Sequence, residues 1–97
     1  MIIAHFNKDG FSIGGHSGYA ERGSDIVCAA VSAMTMLVCN TFTDKFRDNA
    51  TITVDEAQNE VSLRLKGGSE KSRELIEGFR NEIAQLEAEY PEFIKIN

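Results

Sequence analysis

The sequence has no run of clustered lysine and arginine, and with ten basic against fifteen acidic side chains its formal net charge is −5. That balance disfavours a phosphate backbone as a direct partner, because affinity for nucleic acid is carried largely by grouped Lys and Arg. The opening Met1-Ile2-Ile3-Ala4-His5-Phe6 has no basic segment ahead of a long apolar one. It reads neither as a signal peptide nor as a membrane anchor, so a cytoplasmic protein with reduced cysteines is expected. There are two cysteines, and Cys28 and Cys39 stand eleven residues apart on one predicted helix. At 1.5 Å rise per residue that is about 16 Å, too far for a disulfide. Proline occurs once, at Pro91, and no repeat or low-complexity stretch interrupts the chain.

A chain of 97 residues, 42% hydrophobic and 26% charged, suits a single domain over residues 1–97 with one core. At this size burial is moderate, which makes association into an oligomer reasonable. Apolar runs at Ile2–Phe6 and Phe11–Ile13 flank Asn7-Lys8-Asp9-Gly10, a hairpin signal. Ser24 or Asp25 caps a helix to about Phe42 that is apolar on nearly every side, so it is expected in the middle of the domain or at a subunit contact. Thr51–Val54 and Val61–Leu65 alternate around a turn at Asp55–Asn59 and read as sheet. Ser69 caps a second, amphipathic helix, with Leu75, Ile76, Phe79, Ile83, Leu86 and Tyr90 on its apolar face. Pro91 stops it, and Phe93–Ile96 adds a last strand. The order ββαββαβ predicts an α+β domain: a mostly antiparallel sheet from two hairpins and a final strand, with one buried and one amphipathic helix.

The chemistry concentrates between Gly14 and Cys39. His16 ends a strand, and Cys28 falls in the first turn of a helix, where unpaired N–H groups and the positive end of the helix dipole favour a thiolate. An imidazole folding back on that sulfur makes a base and nucleophile pair. Gly15, Gly18 and Gly23, among Tyr19, Glu21 and Arg22, mark the connection as a mobile loop. Asp25, Cys28, Ser32, Thr35 and Cys39 recur at helical spacing along one stripe. Asp25 either orients His16 or caps the helix, and Ser32 either bonds to the sulfur or packs. Free N–H groups in the first turn around Cys28 are the natural oxyanion donors. His5, inside the first strand, reads as a packing or surface residue. His5, His16, Cys28 and Cys39 match no zinc-ligand spacing, and no Lys or Ser/Thr follows the glycines at P-loop spacing. A binding module without chemistry is the remaining alternative.

The run Gly15-His16-Ser17-Gly18-Tyr19-Ala20-Glu21, with Gly23 and Asp25-Ile26-Val27-Cys28-Ala29-Ala30-Val31-Ser32-Ala33, resembles the signature of the ribosomal-processing cysteine proteases called Prp. The Tyr90-Pro91 helix end before a final strand is similar too, so the resemblance covers almost the whole chain. Ser17 stands where alanine is common in that family. The resemblance implies a homodimeric, metal-free and cofactor-free endopeptidase. Its implied partner is the N-terminal extension of the basic bacterial large-subunit ribosomal protein numbered twenty-seven, which it removes. It implies Cys28 as nucleophile, His16 as base, Asp25 and Ser32 as supporting residues, and a loop that closes over peptide. The alternative becomes a non-catalytic module associated with the ribosome.

Overall fold

The computed structural model describes residues 1–21 and 23–97. Arg22, placed by the sequence in the glycine-rich loop, lies outside the described residues.

Two hairpins supply four of the five strands. β1 (Ile2–Asn7) and β2 (Gly10–Gly14) pair antiparallel from Ile3↔Gly14 to Asn7↔Gly10. Asn7 Oδ1 ties their turn by accepting the Asp9 N–H at 2.9 Å. β3 (Ala50–Asp55) and β4 (Glu60–Leu65) form the second hairpin. β4 then lies antiparallel against β2, and β5 (Ile94–Ile96) runs parallel to β1, giving the order β3-β4-β2-β1-β5. The expected α+β class, its mostly antiparallel sheet and the sequence of elements are borne out. Gly10 is dictated by the crossing of strands, since a Cβ there would fall 2.1 Å from the Leu63 carbonyl oxygen.

Strand alternation sorts the sheet into two faces. Ile2, Ala4, Phe11, Ile13, Leu63, Leu65 and Ile94 are buried on one. Ile3, His5, Arg64 and Lys95 are exposed on the other. Both helices cover the buried face. α1 (Ile26–Asn40) contributes Val27, Val31, Val38 and Cys39 to the core, and α2 (Glu70–Glu89) contributes Ile76, Phe79 and Ile83. Ser69 caps α2, accepting the Ser72 N–H at 3.2 Å.

The reading of one α-helix to about Phe42 needs correction. α-Helical bonding ends at Asn40, and Thr41–Phe46 continues as a π-helical turn. The Thr41 and Thr43 hydroxyls donate back to the carbonyls of Leu37 (2.7 Å) and Cys39 (3.3 Å), competing with the backbone ladder. The wider turn buries Phe42 completely and sets it edge-on to Phe46, with ring centroids 6.0 Å apart. Arg47, in the left-handed region at φ 54°, ends the turn.

α1 is buried on its sheet side only. Ile26, Met36 and Leu37 are 55%, 64% and 68% exposed, and exposed Ala29 and Ala33 complete an open apolar stripe at helical spacing. By length and composition Ile26–Phe46 is apolar enough to cross a membrane. Here its Val27, Val31, Val38 and Phe42 face forms part of the sheet's core.

The Phe79 ring stands edge-on to Phe6 (5.5 Å) and Phe11 (5.0 Å), joining α2 to the first hairpin. Phe79→Ala removes that wedge and is expected to cost about 3–5 kcal/mol, lowering Tm by about 15 °C or more. Calorimetry checks this, and a change of only a few degrees would mean that the ring contributes little.

Candidate active site

His16 and Cys28 reach one cleft from different elements. β2 ends at Gly14, and the chain passes through Gly15 to His16; twelve residues later Cys28 sits in the third position of α1. The cleft, about 720 Å³, opens between the end of β2, the β3–β4 turn and the first turns of α1. Ile13, Val31 and Val61 give it apolar walls, and His16, Asp25, Cys28, Ser32 and Asn59 supply polar groups. The thiol is half-buried and the imidazole exposed. Among the described residues, no hydrogen bond joins His16 to Cys28.

Asp25 is the hub of the site. It is the N-cap of α1 with extended backbone, and its Oδ1 accepts the Cys28 N–H at 2.9 Å. Its Oδ2 accepts the hydroxyl of Ser17. Ser17 is only 3% exposed; its own N–H points at the Cys28 sulfur, 3.3 Å away, and its Oγ accepts the Tyr19 N–H at 3.1 Å. Of the two roles open to Asp25, the geometry displays capping. The Ser17 hydroxyl, and then the Cys28 N–H, hold its carboxyl below the usual carboxylate range by hydrogen-bonding to the charged form.

Of the first-turn N–H groups around Cys28 expected as oxyanion donors, those of Ile26 and Val27 have no hydrogen-bond partner among the described residues, while that of Cys28 itself is occupied. The Cys28 N–H is committed to Asp25, and the Ala29 N–H donates to the Asp25 carbonyl at 3.1 Å. The amide at the sulfur comes from Ser17, on the other side of the loop.

The remaining predicted residues separate. Ser32 lines the cleft and is exposed, and among the described residues no hydrogen bond joins it to the sulfur. Thr35 is buried and returns its hydroxyl to the Val31 carbonyl at 2.7 Å. Cys39 lies in the core, where burial pushes its thiol up. His5 is on the open face of the sheet, away from the helices. Gly15, Gly18 and Gly23 all have positive φ. A Cβ on Gly18 or Gly23 would meet open space, whereas one on Gly15 would fall 2.5 Å from the Met1 carbonyl oxygen.

Two contacts had no usable signal in the sequence. Tyr19 packs edge-on against Tyr90 (5.7 Å) and Phe93 (5.3 Å), fastening the start of the loop to the end of α2. Asn59, in the β3–β4 turn, reaches across to Gly15. Its turn propensity is visible in sequence, but its partner 44 positions away is not.

A family model described as cysteine protease Prp matches residues 1–95. No curated protein sequence matches the chain. The fold is similar to that of the essential ribosomal processing protease Prp from S. aureus with a covalently linked product peptide, at TM-score 0.87 and 22% identity over 99% of this chain and 95% of that one. The same S. aureus protease with a substrate peptide gives TM-score 0.80 and 21% identity, with the same coverage. SMU.848 from Streptococcus mutans is 30% identical at TM-score 0.84, over 100% of this chain and 92% of that one.

A carboxyl held low in the folded state contributes its full stabilisation above the unfolded pKa of about 3.9, and that contribution is lost as pH falls through the lower folded value. Ser17→Ala deletes the leading cause of the Asp25 shift. The variant is therefore expected to be less stable than the native chain near neutrality, with the gap narrowing below about pH 4. Urea unfolding of both proteins at pH 7 and pH 3 measures it, and a gap independent of pH would show that the hydroxyl does not act on the carboxylate's charge.

Proposed function

Since the chain belongs to the cysteine protease Prp family, we propose that Cys28 is its nucleophile and His16 its base. On the same reading, the substrate is the N-terminal extension of the bacterial large-subunit ribosomal protein numbered twenty-seven. The observation that carries the reading is a half-buried sulfur at a helix start, with an N–H donor on it and an imidazole on the same cleft. The S. aureus protease of the same fold, named for ribosomal processing and seen with peptide, supports the substrate class.

The reaction runs through a thioester. The Cys28 sulfur, as thiolate, attacks the scissile carbonyl carbon. The C–N bond breaks as the His16 imidazolium protonates the departing amine. His16, now neutral, takes a proton from water, and the hydroxide displaces the sulfur to release a carboxylate product. On this reading the Ser17 N–H, which donates to the sulfur, also serves the oxyanion in both steps. Asp25 holds that donor and the nucleophile together. Ser32, one turn along α1, supports the cleft wall beside the sulfur.

Among the described residues no hydrogen bond joins His16 to Cys28, and on this reading substrate binding brings them together, the loop between them closing over the peptide. Gly18 and Gly23 have the open surroundings that such a movement needs. Full activity of the free enzyme toward a small unspecific peptide would contradict this.

The functional unit on this reading is a homodimer in the cytoplasm, where ribosomal proteins are made. The open stripe of Ile26, Met36 and Leu37 is the surface a second copy would cover.

Cleavage of a peptide spanning the ribosomal-protein extension tests the catalytic roles. The native chain is expected to cut, with Cys28→Ala and His16→Ala each slower by at least about 1000-fold. Binding by all three without cutting would instead mean a ribosome-associated module without chemistry. For the dimer, Leu37→Glu is expected to halve the mass found by light scattering while leaving the far-ultraviolet spectrum unchanged. A native chain already monomeric at micromolar concentration would remove the stripe from consideration.

A further inference from the structure

We infer that Asn59 is a positioning residue for His16, holding the backbone from which the imidazole swings. The inference rests on the reading of His16 as base.

The two backbone groups of Gly15, the residue before His16, are both bonded to Asn59. The Gly15 N–H donates to the Asn59 carbonyl at 3.1 Å, and the Asn59 side-chain amide donates to the Gly15 carbonyl at 2.9 Å. The regular β2–β4 register ends one step earlier, at Gly14↔Glu60. The ladder can extend to Gly15 only because the partner strand turns into a conformation that aims a side-chain donor where the next backbone donor would have been. Asn59 adopts that conformation, at φ 49°, and asparagine is among the few residues that enter the left-handed region readily.

The clamp is stiff at both ends. Gly15 passes close to the Met1 carbonyl, which a Cβ there would meet at 2.5 Å, so no side chain fits at this end. The Asn59 turn is closed by its own N–H to the Glu56 carbonyl (3.3 Å) and by the Gln58 N–H to Asp55 Oδ1 (3.1 Å). On the far side of His16, Ser17 is bonded to Cys28 and Asp25. His16 is thus the free residue between two fixed ones: its main chain is located and its ring, exposed on the cleft, is left to rotate. Asn59 lines the same cleft as His16 and Cys28, so the clamp is part of the site's wall. An error of about 1 Å in a base's position lowers turnover by about 10- to 100-fold without any change in substrate binding.

The test is Asn59→Gly, which keeps the left-handed turn without strain and deletes only the side-chain donor, with Asn59→Asp as a second variant that keeps the shape but cannot donate. Both are assayed on the extension peptide beside His16→Ala, with Tm and the rate of Cys28 alkylation by iodoacetamide as controls on the fold and the nucleophile. The expected result is kcat lower by about 10-fold or more, KM within about twofold and unchanged alkylation. Native kcat in both variants overturns the inference. So does a rise in KM alone, which would make Asn59 a substrate contact, and so does loss of Tm and alkylation together with kcat, which would make it structural. Full activity of His16→Ala would instead remove the reading of His16 as base, and with it the reason to position that residue.

Discussion

One carboxylate joins the two halves of the site. Asp25 uses one oxygen to close the start of α1 through the Cys28 N–H and the other to draw in the Ser17 hydroxyl. Because both partners donate to the charged form, the carboxyl is held below the usual carboxylate range, and hydrogen bonds to an ion are roughly twice as strong as those between neutral groups. The same geometry carries the Ser17 N–H to the sulfur. Further along, the loop is fastened by the Tyr19 contacts with Tyr90 and Phe93. The serine at position 17 thus bears on how the loop is held, because the alanine common in the Prp family there has no hydroxyl to give.

The sheet explains why the cleft lies where it does. β2 sits between β4 and β1 at the centre, so its end is held on both sides, and the chain leaves it through Gly14 and Gly15 close to the β4 and β1 backbones. α1 packs Val27 and Val31 on that sheet just beyond Cys28. Cys28 is thereby placed by a helix packed on the sheet and His16 by the chain just past the end of β2, while residues 18–21, Gly23 and Ser24 between them are exposed. The main chain on either side of His16 is bonded, Gly15 to Asn59 and Ser17 to Cys28 and Asp25, and the imidazole itself is exposed.

The open side of α1 follows from its composition. Apolar residues all round a helix can be buried only if something covers each side, and the sheet covers one. The stripe from Ile26 to Leu37 is left over, and Ala29 and Met36 in it also line the cleft. Any surface seated on that stripe would also touch the wall of the cleft.

Period, caps and turn residues made most of the fold legible from the sequence. Alternation at Thr51–Val54 and Val61–Leu65, the apolar positions of α2, the Ser69 cap and the stop at Pro91 all depend on residues near one another in the chain. Cys28 was legible for the same reason, as a helix start after a glycine loop, whereas His16, expected to end a strand, lies two residues past the end of β2 at Gly14. The strand order, the π turn at Thr41–Phe46, the commitment of the Cys28 N–H and the bonds from Ser17 and Asn59 were decided only by the tertiary structure. Local chemistry states which groups need partners. Which partner each one finds depends on segments distant in sequence, as Asn59 and Gly15 show across 44 positions.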